Sequence, residues 1–456
     1  MLIEQSSRGT DLAARSTPSY GGTQSRGARS CPDSAFAHGQ FFASAKPGWV
    51  GYRLCMATGG PGSTRVRAID IGRRRRDGWT PLGNFDGKPS EPRPLGRSFV
   101  LLDGLRGVAA IAVAVLHMSL LFPVALYLPV AHLAVDFFLQ LSGFIVAHAY
   151  GARITAGMSF RDFARVRVGR LYPAYALGFV IGIAAALVAL RAPNGSLGVF
   201  PWTPETLACG VVPQALMIPP VWCSWGVIYP LNSPMWSILY ELIFSFAFFA
   251  LAAHLLRWQR AVASAIIMLG LITVLITGTL AVGPQNAEFI AGFVRLGFSF
   301  LVSVAIYGLG VTVRRTSNLV ALALPVLLAV VILVPIEGFA YELGMIVIVF
   351  PAIIVVGASF NPANPRIAWA MLQLGALSYL LYAIHMPIFQ IVRGAISETF
   401  PGYLTDGGEW VAVLVIALVV PLSWALARTY EPAARRLFMR ATARSADMTK
   451  SPSRTA

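Results

Sequence analysis

Long apolar stretches separated by short polar segments occupy the chain from Phe99 to Ala427, whereas the preceding residues show no apolar periodicity. Each stretch holds about 20 residues, which is enough to cross a hydrocarbon core of roughly 30 Å. The pattern therefore predicts an all-α polytopic membrane protein with about ten transmembrane helices. They are placed near 99–122, 131–150, 173–191, 234–254, 261–281, 290–313, 318–335, 342–359, 369–392 and 410–427.

Composition agrees with a membrane protein, because 56% of the 456 residues are hydrophobic and 12% are charged. An average soluble domain carries about 25% charged residues. The formal net charge is +16, and the basic residues concentrate in an N-terminal tail, in short loops and in a C-terminal tail. This placement indicates membrane topology and contact with anionic membrane lipid rather than binding to nucleic acid.

Three regions follow from these patterns. Residues 1–94 are rich in Gly, Ser, Pro and Arg, with four arginines in a row at 73–76, and this composition predicts a disordered basic tail. Residues 95–432 form the membrane domain. Residues 433–456 form a second basic tail.

Loop charge predicts the orientation of the ten spans. The segment before the first span, the even-numbered loops and the C-terminal tail contain most of the loop arginines, while the odd-numbered loops contain mainly carboxylates. Because basic loops stay inside, both termini are predicted to be cytoplasmic. The arginines concerned are Arg93, Arg97, Arg153, Arg161, Arg165, Arg167, Arg170, Arg257, Arg260, Arg314, Arg315, Arg366, Arg428, Arg435, Arg436, Arg440 and Arg444.

The four cysteines lack the spacing of a zinc or redox site, so no metal is predicted. Cys209 and Cys223 share the longest outer loop, between Arg191 and Ser233, and are able to pair if that loop lies outside the cytoplasm. Spacing alone leaves the pairing open. The loop also contains four aromatic residues that serve either as interfacial anchors or as a surface that stacks on sugars: Trp202, Trp222, Trp225 and Tyr229.

Ionisable residues inside the predicted spans are candidate functional residues, because a charge at mid-bilayer costs at least about 2.5–3.5 kcal/mol. The first span contains Asp103, Arg106 and His117. Eleven residues separate Arg106 from His117, so the two side chains share one helical face about 16 Å apart. The alternative is structural: an Asp103–Arg106 pair at the helix start and a histidine that packs between helices.

Further polar candidates lie in later segments. The second span contains Asp136 and Ser142, although Ser142 also suits helix packing. Arg167 and Arg170 share one face of a short helix that precedes the third span, which begins at Pro173. The pair either clamps phosphates, which planar guanidinium groups bind well, or anchors the chain at the interface. Later candidates are Trp236, which also suits the membrane interface, Glu241, Tyr379, Tyr382 and His385.

Five sequence segments together resemble the acyltransferase 3 family of bacterial membrane O-acyltransferases, over residues 97–430. They occur in the order LDGLRG with His117, VDFFLQLSGFI, RVRVGRLYPAY, WSILYE and SYLLYAIHMP. The resemblance implies transfer of an acyl group, expected to be acetyl, from acyl-CoA to a hydroxyl of a carbohydrate, a lipid-linked sugar or a similar acceptor. No bound cofactor is expected. No hydrolase-like segment follows the tenth span. The sequence therefore leaves open whether a partner protein completes the acyl transfer.

The family pattern and the polar residues together define the candidate site. The predicted catalytic residues are His117, Arg106, Asp136 and Glu241, with either carboxylate supporting the His117 imidazole, which acts as a general base or carries the acyl group. The predicted substrate-binding residues are Arg167, Arg170, Asp103, Ser142, Trp236, Tyr382 and His385. The rival interpretation is a secondary transporter that uses the same buried charges as an ion relay.

The predicted orientation is testable with single cysteines and an impermeant thiol reagent. We expect cysteines at 155–170 and 436–456 to be protected in intact cells and cysteines at 195–230 to react, because basic loops remain cytoplasmic. A variant with all four native cysteines replaced, at 31, 55, 209 and 223, supplies the unlabelled background. Reaction of residues 160–170 from outside would overturn the orientation.

Overall fold

A computed structural model describes residues 53–59, 63–69, 99–122, 124, 126–191, 202–223, 226–257, 280–308, 310–311, 313, 315–400 and 408–448. The chain divides into two units, Met1–Gly78 and Trp79–Ala456.

The first unit contains a hairpin of two antiparallel strands, β1 (Arg53–Gly59) and β2 (Ser63–Ile69), in which Cys55 pairs with Arg67. In β2, arginines alternate with Val66 and Ala68, which is the two-residue period of a strand. The disorder prediction for 1–94 did not include this hairpin. Elsewhere in that tail the prediction falls outside the described residues and stays a prediction.

The second unit is a helical bundle. Among the described residues, eight helices are long and apolar enough to cross a membrane, and one apolar helix is shorter. In chain order the helices are α1 (Val100–Leu121), α2 (Leu133–Thr155), α3 (Phe160–Ala189), α4 (Pro204–Ala215), α5 (Trp236–Arg257), α6 (Phe289–Tyr307), α7 (Asn318–Leu333), α8 (Phe339–Ser359), α9 (Pro365–Thr399) and α10 (Gly408–Met448).

The all-α polytopic class is thus confirmed. Of the helices, α4 lies in the long loop, and the short helix is α7. A π-helical stretch, Met345–Val349, interrupts α8. Two short strands, β3 (Arg315–Thr316) and β4 (Phe360–Asn361), pair in parallel beside the start of α7 and the end of α8.

Helices α3 and α10 extend furthest beyond the sequence prediction. The predicted break at Pro173 is wrong: α3 is one helix that begins at the Ser159 cap, where the serine Oγ accepts from the Asp162 amide, and continues through Pro173. Inside a bilayer a continuous helix satisfies the backbone better than an interfacial break, and proline is tolerated there. Likewise, α10 continues past 427 into the predicted C-terminal tail.

Side-chain contacts give the directions of the helices. Because Phe99 packs on His148, and His148 on Tyr307, the start of α1 lies beside the ends of α2 and α6. We call this end of the bundle the Phe99 face. Arg165 donates to Thr442 Oγ1 at 2.9 Å, so α3 begins and α10 ends at the same face. The start of α1 and the end of α10 therefore share the face that carries the basic segment 153–170, while the cytoplasmic location of that face stays a prediction.

Helices α2, α5 and α6 run in the direction opposite to α1, α3 and α9. The end of α5 and the start of α6 therefore lie at opposite faces. The predicted span 261–281 falls between them and lies almost wholly outside the described residues. At the face opposite Phe99, Cys209 and Cys223 form a disulfide, with their Cα atoms 6.1 Å apart. A disulfide suits an oxidising compartment, while the orientation of the bundle stays a prediction.

Helices α1 and α9 run parallel and pack closely against each other. A Cβ at Gly107 would lie 2.3 Å from the Leu374 carbonyl oxygen, and a Cβ at Gly375 would lie 2.7 Å from the Asp103 Cβ. Small residues of this kind allow membrane helices to approach backbone to backbone. The approach sets which α1 side chains meet which α9 side chains.

Replacement of these glycines tests the packing. We expect Gly107→Ala to lower the free energy of unfolding by about 1–3 kcal/mol, the usual cost of overpacking, because a rigid backbone carbonyl occupies the space of the new methyl group. Gly104→Ala is the matched control, since its methyl group meets the flexible thioether of Met371. The measurement is thermal unfolding in detergent. Equal melting temperatures for the two variants would show that the Gly107 contact is not restrictive.

Candidate functional site

A pocket lies among α1, α2, α3, α5 and α9 and encloses about 670 Å³ of empty space, including its open mouth. Its lining combines apolar side chains with a cluster of charged and hydroxyl groups: Leu102, Asp103, Arg106, Phe138, Leu139, Leu141, Ser142, Ile145, Arg167, Arg170, Ser237, Ile238, Glu241, Ser378, Tyr379 and Tyr382.

Arg106 is held by α9. Its Nε donates to Ser378 Oγ at 2.8 Å and its Nη2 to the Gly375 carbonyl at 2.9 Å. Its Nη1 lies 3.4 Å from Asp103 Oδ1, one turn earlier on α1. The guanidinium carbon also lies 5.1 Å from the centre of the Tyr379 ring. Arg106 is therefore fixed at the edge of the pocket.

Arg170 packs over the same Tyr379 ring, with its guanidinium carbon 5.3 Å from the ring centre. The contact is a cation–π interaction. Among the described residues, no side chain or carbonyl forms a hydrogen bond or an ion pair with Arg170, although the residue lines the pocket. Its donors are therefore available to a ligand.

Arg167 is placed differently, with only 1% of its surface exposed. Its Nη2 donates to Glu241 Oε1 at 2.7 Å and to Ser142 Oγ at 3.2 Å, and Ser142 itself donates to Glu241 at 2.6 Å. The charge of Arg167 is thus balanced by Glu241. Since the lining also pairs Arg106 with Asp103, Arg170 supplies the excess positive charge of the pocket.

The pocket ends at Tyr382, towards the face opposite Phe99. The Tyr382 hydroxyl lies 2.6 Å from Ser237 Oγ and donates to the Pro234 carbonyl at 2.9 Å. The Phe138 ring packs edge-on against Tyr382, with centroids 5.5 Å apart. These three side chains, Tyr382, Ser237 and Phe138, form what we call the partition.

His117 and His385 meet beyond the partition. The Nε2 atom of His385 lies 3.2 Å from Nδ1 of His117. His385 is fully buried and His117 is partly buried. Neither residue lines the pocket. The structure therefore gives His117 an imidazole neighbour where the sequence analysis had expected a carboxylate.

Asp136 forms a buried ion pair with Arg295 of α6. Both residues are nearly inaccessible, and Arg295 also donates to the Val282 carbonyl at 2.8 Å. Ser299 donates to Asp136 Oδ1 at 2.8 Å. Because both carboxylate oxygens are engaged in this way, Asp136 does not orient His117.

His132 and Glu342 lie near this ion pair but do not form a second one. Burial, and next the positive charge of Arg295, lower the pKa of His132, just before α2, to about 3. The ring is therefore neutral, and its approach to Glu342 Oε1 at 3.5 Å is not an ion pair. Glu342 instead accepts from the Leu280 amide at 3.0 Å.

The pocket brings together a subset of the predicted site: Asp103, Arg106, Ser142, Arg167, Arg170, Glu241 and Tyr382. It leaves out His117, His385, Asp136 and Trp236. Trp236 is buried and packs edge-on against Tyr240, with its ring close to Gly283 and Gly292. It therefore does not line the pocket.

Sequence reasoning missed Arg295 and Ser378. Arg295 lies inside the sixth predicted span, and the rule that singled out the other intramembrane charges would have identified it. Ser378 carries no such signal, because a serine in an apolar helix is common in membrane packing. Only the structure shows that it accepts a hydrogen bond from Arg106.

A helical bundle with a cationic pocket and a pair of imidazoles between its helices defines an integral membrane protein with a candidate ligand site. Residues 99–428 match the family model described as "Acyltransferase domain". The chain belongs to the acyltransferase 3 family and is a membrane acyltransferase.

One curated relative is similar over part of the chain. It is "Protein 2 in picA locus" of Rhizobium radiobacter, which is 36% identical over 154 residues, spanning 32% of this chain and 78% of the relative. No solved structure matches the chain.

The Asp136–Arg295 pair should be essential to stability. Asp136→Asn and Arg295→Gln each leave a buried charge without its partner, so we expect each to lower the free energy of unfolding by about 3–5 kcal/mol. The double variant Asp136→Leu/Arg295→Met removes both charges and should recover part of that loss. Denaturation in mixed micelles measures the effect.

Ser299→Ala is the control for the pair, since it removes a single hydrogen bond, worth about 1 kcal/mol. If Asp136→Asn and Arg295→Gln were as stable as Ser299→Ala, the ion pair would not be a major source of stability.

Proposed function

We propose that the protein transfers an acyl group, specifically acetyl, from acyl-CoA to a hydroxyl of a carbohydrate or a similar surface or secreted acceptor. The bilayer concerned is the bacterial inner membrane, with the Phe99 face cytoplasmic. The observation that carries the proposal is the free guanidinium of Arg170 beside Arg106 in the pocket. A pocket with unpaired planar donors suits phosphate, which accepts hydrogen bonds from a guanidinium fork.

The relative position of the arginines and His117 supports a long, flexible donor. Arg106 lies in the first two turns of α1, and His117 lies eleven residues later, about 16 Å along the axis. In a CoA thioester, a flexible arm separates the phosphates from the reactive carbonyl. Phosphates at Arg106 and Arg170 would therefore leave the thioester free to extend towards His117.

At His117, the acceptor hydroxyl requires a base, because an unactivated alcohol is a weak nucleophile. Histidine suits this task since its ordinary pKa is near neutrality. The partition separates the two positions, so Tyr382 and Phe138 must move for the thioester to reach the imidazole. The ion pair of Arg167 and Glu241 forms part of the pocket wall.

The rival function, a secondary transporter, has less support. A transporter relay requires ionisable groups that gain and lose charge along a path. Here Arg167 is neutralised by Glu241 and Arg295 by Asp136, and the family model is that of an acyltransferase.

The proposal is tested with variants that are expected to lose either binding of acetyl-CoA or transfer of the acetyl group, but not both. The full chain is placed in nanodiscs to measure binding of ¹⁴C-acetyl-CoA, and inverted membrane vesicles are used to measure label passed to membrane carbohydrate. We expect Arg170→Ala to weaken donor binding tenfold or more, and Arg170→Lys to recover little of it because lysine lacks the planar fork. We expect His117→Gln to bind donor normally and to lose about a hundred- to ten-thousandfold of transfer, the usual contribution of a general base.

Arg165→Ala is the matched control for Arg170, because Arg165 lies on the same helix but binds Thr442 and the Met439 carbonyl instead of lining the pocket. Its donor affinity should equal that of the native protein. Unchanged donor affinity in Arg170→Ala would remove the arginine from donor binding, and near-normal transfer by His117→Gln would remove His117 from the reaction.

A further inference from the structure

The contact between His117 and His385 determines which nitrogen of each ring carries a proton. Nδ1 of His117 lies 2.9 Å from the Val113 carbonyl oxygen, and Nδ1 of His385 lies 2.8 Å from the Leu381 carbonyl oxygen. A carbonyl oxygen only accepts hydrogen bonds, so each Nδ1 must be a donor. In a neutral imidazole the other nitrogen, Nε2, then carries a lone pair.

One assignment satisfies all three contacts. The Nδ1–H of His117 is shared between the Val113 carbonyl and the lone pair of His385 Nε2. The reverse assignment, in which His385 Nε2 donates to His117, would place a lone pair of His117 Nδ1 against the lone pairs of the Val113 carbonyl. The contacts thus select the Nδ1–H tautomer of His117.

The remaining nitrogen of His117 is free to react. Among the described residues nothing forms a hydrogen bond with His117 Nε2, and the side chain is only partly buried. In the selected tautomer this atom is a proton acceptor, whereas in the other tautomer it would be an N–H and unable to act as a base. Asp136 and Glu241 are occupied by Arg295 and Arg167, so neither carboxylate sets the tautomer.

We propose that His385 is a positioning residue, which holds His117 in the Nδ1–H tautomer and directs the basic Nε2 towards the acceptor hydroxyl. The inference rests on the proposed function. In the reaction, the hydroxyl proton passes to Nε2 of His117 while the oxygen forms a bond to the acyl carbon. The carbon–sulfur bond then breaks, and the leaving thiolate takes up the proton to give the free thiol. While His117 is protonated, its Nδ1–H continues to donate to His385.

Packing alone is the competing explanation for His385. The ring is fully buried, with its centroid 5.7 Å from that of Phe389 and 6.0 Å from that of Tyr382. A packing role requires only that the volume be filled. A positioning role requires an acceptor atom at the place of His385 Nε2, and this difference separates the two accounts.

Two amide variants of His385 differ in that atom. In His385→Gln, the side-chain oxygen reaches the place of Nε2 and accepts from His117. In His385→Asn, the shorter amide reaches only the place of Nδ1, beside the Leu381 carbonyl. Using the acetyl-CoA vesicle assay, we expect transfer by the Gln variant to stay within about tenfold of native. We expect transfer by the Asn variant to fall by about a hundredfold or more, as when a base is lost, with KM for acetyl-CoA unchanged in both variants.

Equal transfer by the two variants, at matched membrane levels, would overturn the inference in favour of packing. A ¹⁵N spectrum of histidine-labelled native protein in nanodiscs gives a second readout, which holds even if the Asn variant fails to fold. The His117 signals, assigned by their loss in His117→Gln, should show a protonated Nδ1 and an unprotonated Nε2. The opposite tautomer would overturn the inference. Absence of transfer by the native protein would instead count against the proposed function, and the spectrum would still test the tautomer.

Discussion

Close approach of α1 to α9 is the constraint on which the site depends. Because Gly107 and Gly375 have no side chains, the two backbones come together over several turns. This distance lets Arg106 reach the Gly375 carbonyl and Ser378 at one end and lets His117 reach His385 at the other. A wider spacing would break both contacts at once. The packing of α1 against α9 therefore sets the position of Arg106 relative to that of His117.

Neutralisation of charge inside the bundle accounts for most of the remaining polar residues. Arg167 with Glu241 and Arg295 with Asp136 are buried pairs, and each holds together helices distant in sequence. Burial of a guanidinium without such a partner is strongly unfavourable. Arg170 avoids that cost in another way, since it faces a pocket and packs on the Tyr379 ring. The distinction between paired and available arginines separates the structural charges from those suited to a ligand.

The sequence was sufficient for features that lie within one helix. It predicted the membrane class, most spans and the shared face of Arg106 and His117, because hydrophobic length and helical periodicity are local properties. It did not predict which helices are neighbours, so it assigned Asp136 or Glu241 to His117 and overlooked Arg295. It also ended the interfacial helix at Pro173, where a soluble chain would be expected to break, although a membrane favours continuity. The hairpin of β1 and β2 was not predicted, because the alternation of polar and apolar residues in these strands covers only a few positions.

The partition formed by Tyr382, Ser237 and Phe138 has a consequence for the energetics of the cell. A continuous aqueous path from one face of the bundle to the other would let protons move down the membrane potential, which is worth about 2.3 kcal/mol per charge for each 100 mV. The hydrogen-bonded Tyr382 and the aromatic ring of Phe138 separate the arginine pocket from the histidines. Among the described residues, the polar lining of the pocket and the histidine pair therefore do not form one continuous path, and a proton moving between them would have to pass the partition.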